Sequence, residues 1–213
     1  MSDPIVIAYH LIWTAYGWWL PNDIRGSGST IIRNDIHKKL GELHLGRKQS
    51  QPAGWQVRDF YQQASDLLKY PLLTFGPAQV NAIASPFQQV IQQMKYTCYA
   101  CAIMPDHIHL LIRKHKHLAE EMIGNFETAG RATIAGTGGW ARSHPVFTLG
   151  GWKVYLDHPD EVWRTIPYIE ENPGKIGLPR QQWSFVTPYN NWPLHEGHSP
   201  NSPYARRLRE YRR

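Results

Sequence analysis

The chain has 213 residues, 42% hydrophobic and 19% charged, which suits one folded domain and excludes a disordered polypeptide. Its net charge of +6 favours polyanionic partners without bearing on the fold. Two cysteines exclude a disulfide scaffold, and the apolar stretch 4–20 is short for a membrane span and lacks a basic leader, so a cytoplasmic protein is expected.

In chain order, Ile5 to Thr14 is apolar and β-branched, and reads as a buried strand. Pro21 to Ser29 is a polar, Gly-rich loop. Asn34 to Leu45 reads as a short helix with Asn34 as its N-cap. Residues 46–66 are Gln-rich and weakly patterned, and read as a surface insertion. Pro77 to Met94 repeats apolar residues at helical spacing, with Pro86 expected to kink the helix. Tyr96 to Ile103 and Ile108 to Arg113 read as the two strands of a hairpin around Met104-Pro105-Asp106. His117 to Ile134 is a second long helix, followed by a Gly-rich loop, Gly136 to Gly139. Phe147 to Leu156 reads as a further strand. Asp157 to Asn172 reads as a helix with Pro159 in its first turn and Asn172-Pro173-Gly174 as its stop.

Cys98 and Cys101 fall in a predicted strand, where positions i and i+3 face opposite sides, so they are expected to be small buried residues rather than a metal or redox pair. Of the +6 charge, +4 comes from residues 204–213, where Arg206, Arg207, Arg209, Arg212 and Arg213 face one acid, Glu210. That tail reads either as a nucleic-acid contact or as a frayed, solvated end. The order strand, helix, strand, strand, helix, strand is the α+β, ferredoxin-like (RRM-like) pattern, an antiparallel sheet with helices on one face and an added C-terminal helix. One sheet face is then free to hold a site. The domain is expected over 1–183, with 184–213 an irregular extension.

Two constellations could carry chemistry. His107-Ile108-His109 opens a predicted strand, so both imidazoles share a face with Leu111, roughly 6.5–7 Å apart, while Ile108 and Leu110 face the other way. Such a pair can grip one cation, although H-x-H alone is more often two ordinary polar residues. Tyr168 and Asn172 are four apart on a helix and therefore neighbours. Read alone, they are more readily a half-buried aromatic and a helix stop. Arg164, one turn before Tyr168, could touch phosphate or pair with Asp160 or Glu161. Trp18, Trp19, Trp140, Trp183 and Trp192 could stack unpaired bases or pack the core.

The segments MPDHIHLLI and YIEENPGKIGL resemble the two signatures of the HUH single-strand transposases with one catalytic tyrosine, the insertion-sequence-200/605-like group. The Tyr-Ile-x-x-Asn-Pro form and the opening YHLIWTAYGWWLP with DIRG are most similar to the REP-associated tyrosine transposase branch. The likeness covers most of residues 5–180. It implies Tyr168 as nucleophile, with His107, His109 and Asn172 holding a divalent metal, Mg²⁺ or Mn²⁺. It further implies single-strand DNA nicking and joining at hairpin or REP-like repeats through a 5′-phosphotyrosine. Monomer or homodimer, tyrosine acting within its own subunit or across a dimer, and mobile-element or resident role all stay open. A nucleoid-associated location would follow, with Arg164, Arg206, Arg207 and Arg209 as candidate DNA contacts. Two rivals are a catalytically inactive nucleic-acid-binding protein of the same fold and a histidine-based nucleotide hydrolase. The latter would want a third histidine at position 111, which is Leu. No residue stands out as the base for Tyr168.

Overall fold

A computed structural model describes residues 5–32, 38–46, 48–134, 143–148 and 150–211. Four strands form one antiparallel sheet: β1 (Ala8–Thr14), β2 (Cys98–Ile103), β3 (His107–Arg113) and β4 (Trp152–Leu156), in the order β2-β3-β1-β4. The helices named among the described residues are α1 (Gly54–Leu67), α2 (Pro77–Met94), α3 (Ala119–Ile134), α4 (Pro159–Glu170), α5 (Asn172–Lys175) and α6 (Pro203–Tyr211). The sheet order, with α2 and α3 as the two crossover helices, is the ferredoxin-like α+β arrangement expected from the sequence. Among the described residues no helix is long and apolar enough to cross a membrane.

Strand alternation divides the sheet into two faces. Tyr9, Leu11 and Trp13 of β1 and Ile108, Leu110 and Ile112 of β3 turn towards α2 and α3, and build the main core with Phe87 and Phe126. Ala8 and Leu111 turn the other way, where Val162 and Ile169 of α4 cover part of the sheet together with Tyr189 and Tyr204. The second face is therefore only partly free, and α4 lies across it.

Several elements differ from the sequence reading. Positions 34–37 of the expected helix Asn34–Leu45 lie outside the described residues. Of the rest, Lys38 is helical, and from Lys39 onward the chain is turn and bend, with Gly41 at φ 99° and Leu45 bridging Ser27. Residues 54–67 are not weakly structured but form α1. Phe60, Tyr61 and Ala64 are buried against Leu20, with Val57 and Leu68 flanking them at helical spacing. The Gln56 side chain accepts the Ala53 N–H at 2.8 Å, capping the first turn. The expected strand 147–156 shortens to β4, with Phe147 making only an isolated bridge to Ala15. Gly150 at φ 84° breaks the strand, and a Cβ on Gly151 would lie 2.7 Å from the Ile12 carbonyl oxygen.

Cys98 and Cys101 are both buried thiols, raised by burial, Cys98 to about 12. A β-bulge between Cys98 and Ala100 turns both to the helix-covered face, against the expectation of opposite sides. Pro86 and Pro167 both sit inside continuous helices. The extension expected to be irregular carries α6, whose Tyr204 is buried and donates to the Asp157 carbonyl at 2.7 Å. The Gly-rich loop 136–139, Trp140, Arg212 and Arg213 lie outside the described residues.

Glu127 on α3 is only 8% exposed, and its Oε1 has no partner among the described residues. Burial pushes its pKa up to about 7, opposed by Arg131. The folded chain thus holds this proton more tightly than the unfolded one. The associated stability is full below about pH 4.5 and is lost as pH rises through 7. Glu127→Gln, which cannot ionise, should be more stable than the parent at pH 8 by roughly 1–3 kcal/mol. At pH 4 the two should be about equal. Urea unfolding at both pH values measures this, and a variant less stable at pH 8 would contradict it.

Candidate functional site

His107 and His109 occupy alternate positions of β3 on the α4 side of the sheet, as the period-2 pattern requires. Their Nε2 atoms are 3.0 Å apart. The register pairs Ile12 with His109 and His10 with Leu111, which sets His10 of β1 diagonally beside His109. His10 Nε2 lies 2.9 Å from His109 Nδ1. His107 Nδ1 donates to Asp106 Oδ1 at 2.6 Å.

These contacts constrain the protons. The Asp106 carboxylate can only accept, so His107 carries a proton on Nδ1, and in its neutral form it presents an Nε2 lone pair. Burial works against ionising Asp106, but the hydrogen bond and charge of His107 and the charge of Arg25 outweigh it and hold the carboxyl below its ordinary value. Burial holds His109 well below the ordinary imidazole range, reinforced by the charges of His107, His10 and Lys175. Burial likewise lowers His10 to about 4. His10 and His109 are therefore neutral near pH 7, the form in which imidazole binds metals. Either a proton or a cation must lie between the two Nε2 atoms. A separation of about 3 Å is the edge of an octahedron with bonds near 2.1 Å. Asp106 behind His107 and His10 behind His109 stand where the outer partners of ligating imidazoles would stand.

Tyr168 projects from α4 next to this cluster. Its ring centroid is 5.9 Å from that of His109 and 6.0 Å from that of His10, edge-on to both. It is 40% exposed, because α4 docks through Val162 and Ile169 and leaves Tyr168 off that stripe. Tyr168 thus lies beside the histidines of its own chain. Asn172 is buried as the first residue of α5. Pro173 follows at a position where its missing N–H costs nothing, so the expected helix stop opens a short second helix instead. Asn172 Oδ1 accepts from Lys175 Nζ at 3.3 Å, while its Nδ2 has no partner among the described residues. The Lys175 ammonium also stands 4.5 Å over the Tyr168 ring.

Among the described residues no three His, Cys, Asp or Glu side chains are arranged to hold a metal. Two imidazoles joined by a neutral amide oxygen such as that of Asn172, which here accepts from Lys175 Nζ, would make a mixed ligand set. That mixed set is compatible with a cation that keeps several waters, but not with a closed structural zinc site.

Arg164 is exposed on α4, and no ion pair joins it to Asp160 or Glu161 among the described residues: Asp160 pairs with His158, and Glu161 accepts the N–H groups of Asp157 and His158. Arg206 and Arg209 are exposed on α6, and Arg209 donates to the Pro200 carbonyl. Arg207 is partly buried on the same helix. Trp18 packs on Tyr61 and donates to the Leu73 carbonyl, a structural role. Trp183 stacks on Phe185, and Trp192 lies under Arg113. Among the described candidate tryptophans Trp19 alone meets the site, edge to face with His107 at 6.1 Å.

The sequence reading missed His10, Lys175 and the role of Asp106. The signal for His10 was a lone imidazole on the alternate positions that also carry Ala8 and Ile12 of an otherwise apolar strand. For Lys175 it was a cation one turn beyond Asn172.

No family model matches the chain, and no curated protein does. Solved structures do resemble it. One is a REP-associated tyrosine transposase bound to a REP hairpin, at 11% identity and a TM-score of 0.45, covering 87% of this chain and 79% of that one. Another is a candidate transposase of Deinococcus radiodurans R1, at 12% identity and a TM-score of 0.36, covering 80% of this chain and 94% of that one.

Proposed function

We propose that this protein is a metal-dependent single-strand DNA endonuclease and strand transferase of the HUH type, acting at hairpin-forming or REP-like DNA. The observation that carries this reading is the Tyr168 phenol beside the paired Nε2 atoms of His107 and His109 on one sheet face. The two sequence motifs that resemble this class supply the same residues independently.

In this reading Tyr168 Oη attacks the scissile phosphorus. The Oη–P bond forms as the P–O3′ bond breaks, giving a 5′-phosphotyrosine and a free 3′-OH, with the phenolic proton lost to solvent and one taken up at the 3′ oxygen. The phosphodiester energy is kept in the phosphotyrosine, so a 3′-OH can reverse the step without ATP. His107, His109 and Asn172 would hold Mg²⁺ or Mn²⁺, which supplies Lewis-acid polarisation of the phosphate when bound. Asp106 and His10 orient the two imidazoles and fix their tautomers. Lys175 places a positive charge against the tyrosine face, where phosphate charge accumulates.

Labelled single-stranded hairpin DNA, incubated with the protein and Mn²⁺, should yield a protein–DNA adduct that survives a denaturing gel and disappears with EDTA. DNA binding with no adduct under any divalent cation would point to the inactive binding protein instead.

A further inference from the structure

We infer that Trp19, backed by Arg25, is a stacking platform for the nucleobase next to the scissile phosphate, an inference that rests on the nuclease reading above. Trp19 has φ 55°, a left-handed conformation that a bulky aromatic residue rarely adopts. Such strain persists only where the surroundings impose it, and it concentrates at functional positions. Here the surroundings are a built network. The Trp19 backbone N–H donates to Tyr61 Oη at 2.8 Å. Tyr61 Oη also donates to Asp23 Oδ2 and accepts from Arg25 Nη2 at 2.9 Å. Arg25 grips fully buried Asp23 with two bonds, Nε to Oδ1 at 3.0 Å and Nη2 to Oδ2 at 2.7 Å. Burial opposes the Arg25 charge, yet its partners hold its pKa above the ordinary value; burial, chiefly, and Asp23 keep the Tyr61 phenol protonated.

This network sets the Arg25 guanidinium carbon over the Trp19 ring, 3.9 Å from its centroid. One indole face is thereby covered, and the ring meets His107 edge to face. Arg25 also acts on the Asp106 carboxylate behind His107. Pinning the loop to α1 needs only Asp23, Arg25 and Tyr61. It does not need a strained, partly exposed tryptophan at the imidazole pair. Aromatic rings at such positions bind unpaired bases through their faces, whichever base is present.

The test is a binding cycle in the Tyr168→Phe protein, so that it does not depend on cleavage. The probe is single-stranded hairpin DNA with its flanking strand, carrying an abasic site at each position around the cleaved bond in turn. At one flanking position the abasic change should weaken binding roughly tenfold. Adding Trp19→Ala should then cost less than a further twofold, whereas Trp19→Phe should retain most of the effect. Additive losses at every position would overturn the inference, since a merely structural role adds. So would unchanged binding by Trp19→Ala. Should Trp19→Ala fail to fold, 2-aminopurine in the same positions reads the intact ring. Its fluorescence should fall at one flanking nucleotide, and no fall at any of them would overturn the inference. If the parent protein binds no single strand at all, the nuclease reading falls too. Binding without base-specific coupling removes only the platform.

Discussion

Tyr168→Phe is expected to remove the covalent adduct and to lower strand cleavage by on the order of 10⁴-fold or more, as loss of a nucleophile does. The change deletes one oxygen from a ring that is 40% exposed and takes no part in docking α4, which relies on Val162 and Ile169. The ring itself stays edge-on to His10 and His109, and Lys175 keeps its face to stand over. Stability should therefore change by less than about 0.5 kcal/mol, as surface substitutions generally do. Hairpin binding should hold within about twofold. Denaturing gels read the chemistry, thermal unfolding the fold, and filter binding the affinity. The three together separate a lost nucleophile from a damaged protein. An adduct that persists in the variant would transfer the role to another side chain and sink the assignment.

Local pattern made much of this site legible, and long-range register hid the rest. Period-2 alternation was enough to put His107, His109 and Leu111 on one face and Ile108 and Leu110 on the other, as the strand shows. The order of elements likewise led to the ferredoxin-like sheet. His10 was invisible because its meaning depends on which strand lies beside β1 and in what register. Pairing His10 with Leu111, 101 positions apart, leaves no trace in either segment. Helix α1 was missed for a different reason. Val57, Phe60, Tyr61 and Ala64 do repeat at helical spacing, but abundant glutamines dilute the stripe. That helix supplies Tyr61, and with it the support for Trp19, so an apparent surface insertion buttresses the site. The bulge at Cys98–Ala100 shows the limit of alternation itself, since one extra residue turned Cys98 and Cys101 to the same face.

His10 is also where outer support can be distinguished from direct ligation. If His109 Nε2 is to present a lone pair, its proton must lie on Nδ1, and His10 Nε2, 2.9 Å away, is the acceptor that favours this tautomer. His10→Ala should therefore weaken Mn²⁺ binding about 10–100-fold, the usual penalty for losing an outer partner of a ligating imidazole. In the proposed reading His109→Ala removes a ligand outright and should weaken it further, with metal-dependent cleavage falling in the same order. Neither change should alter hairpin binding in EDTA by more than about twofold, because both side chains are almost wholly buried beneath the surface that DNA would meet. Free Mn²⁺ measured by electron paramagnetic resonance gives the affinities without reference to activity. His10→Gln, whose side-chain oxygen can accept from His109 Nδ1–H, should recover part of the loss. A His10→Ala protein that binds Mn²⁺ like the parent would reduce His10 to packing. A His109→Ala protein that does so would remove the imidazole pair as the metal site.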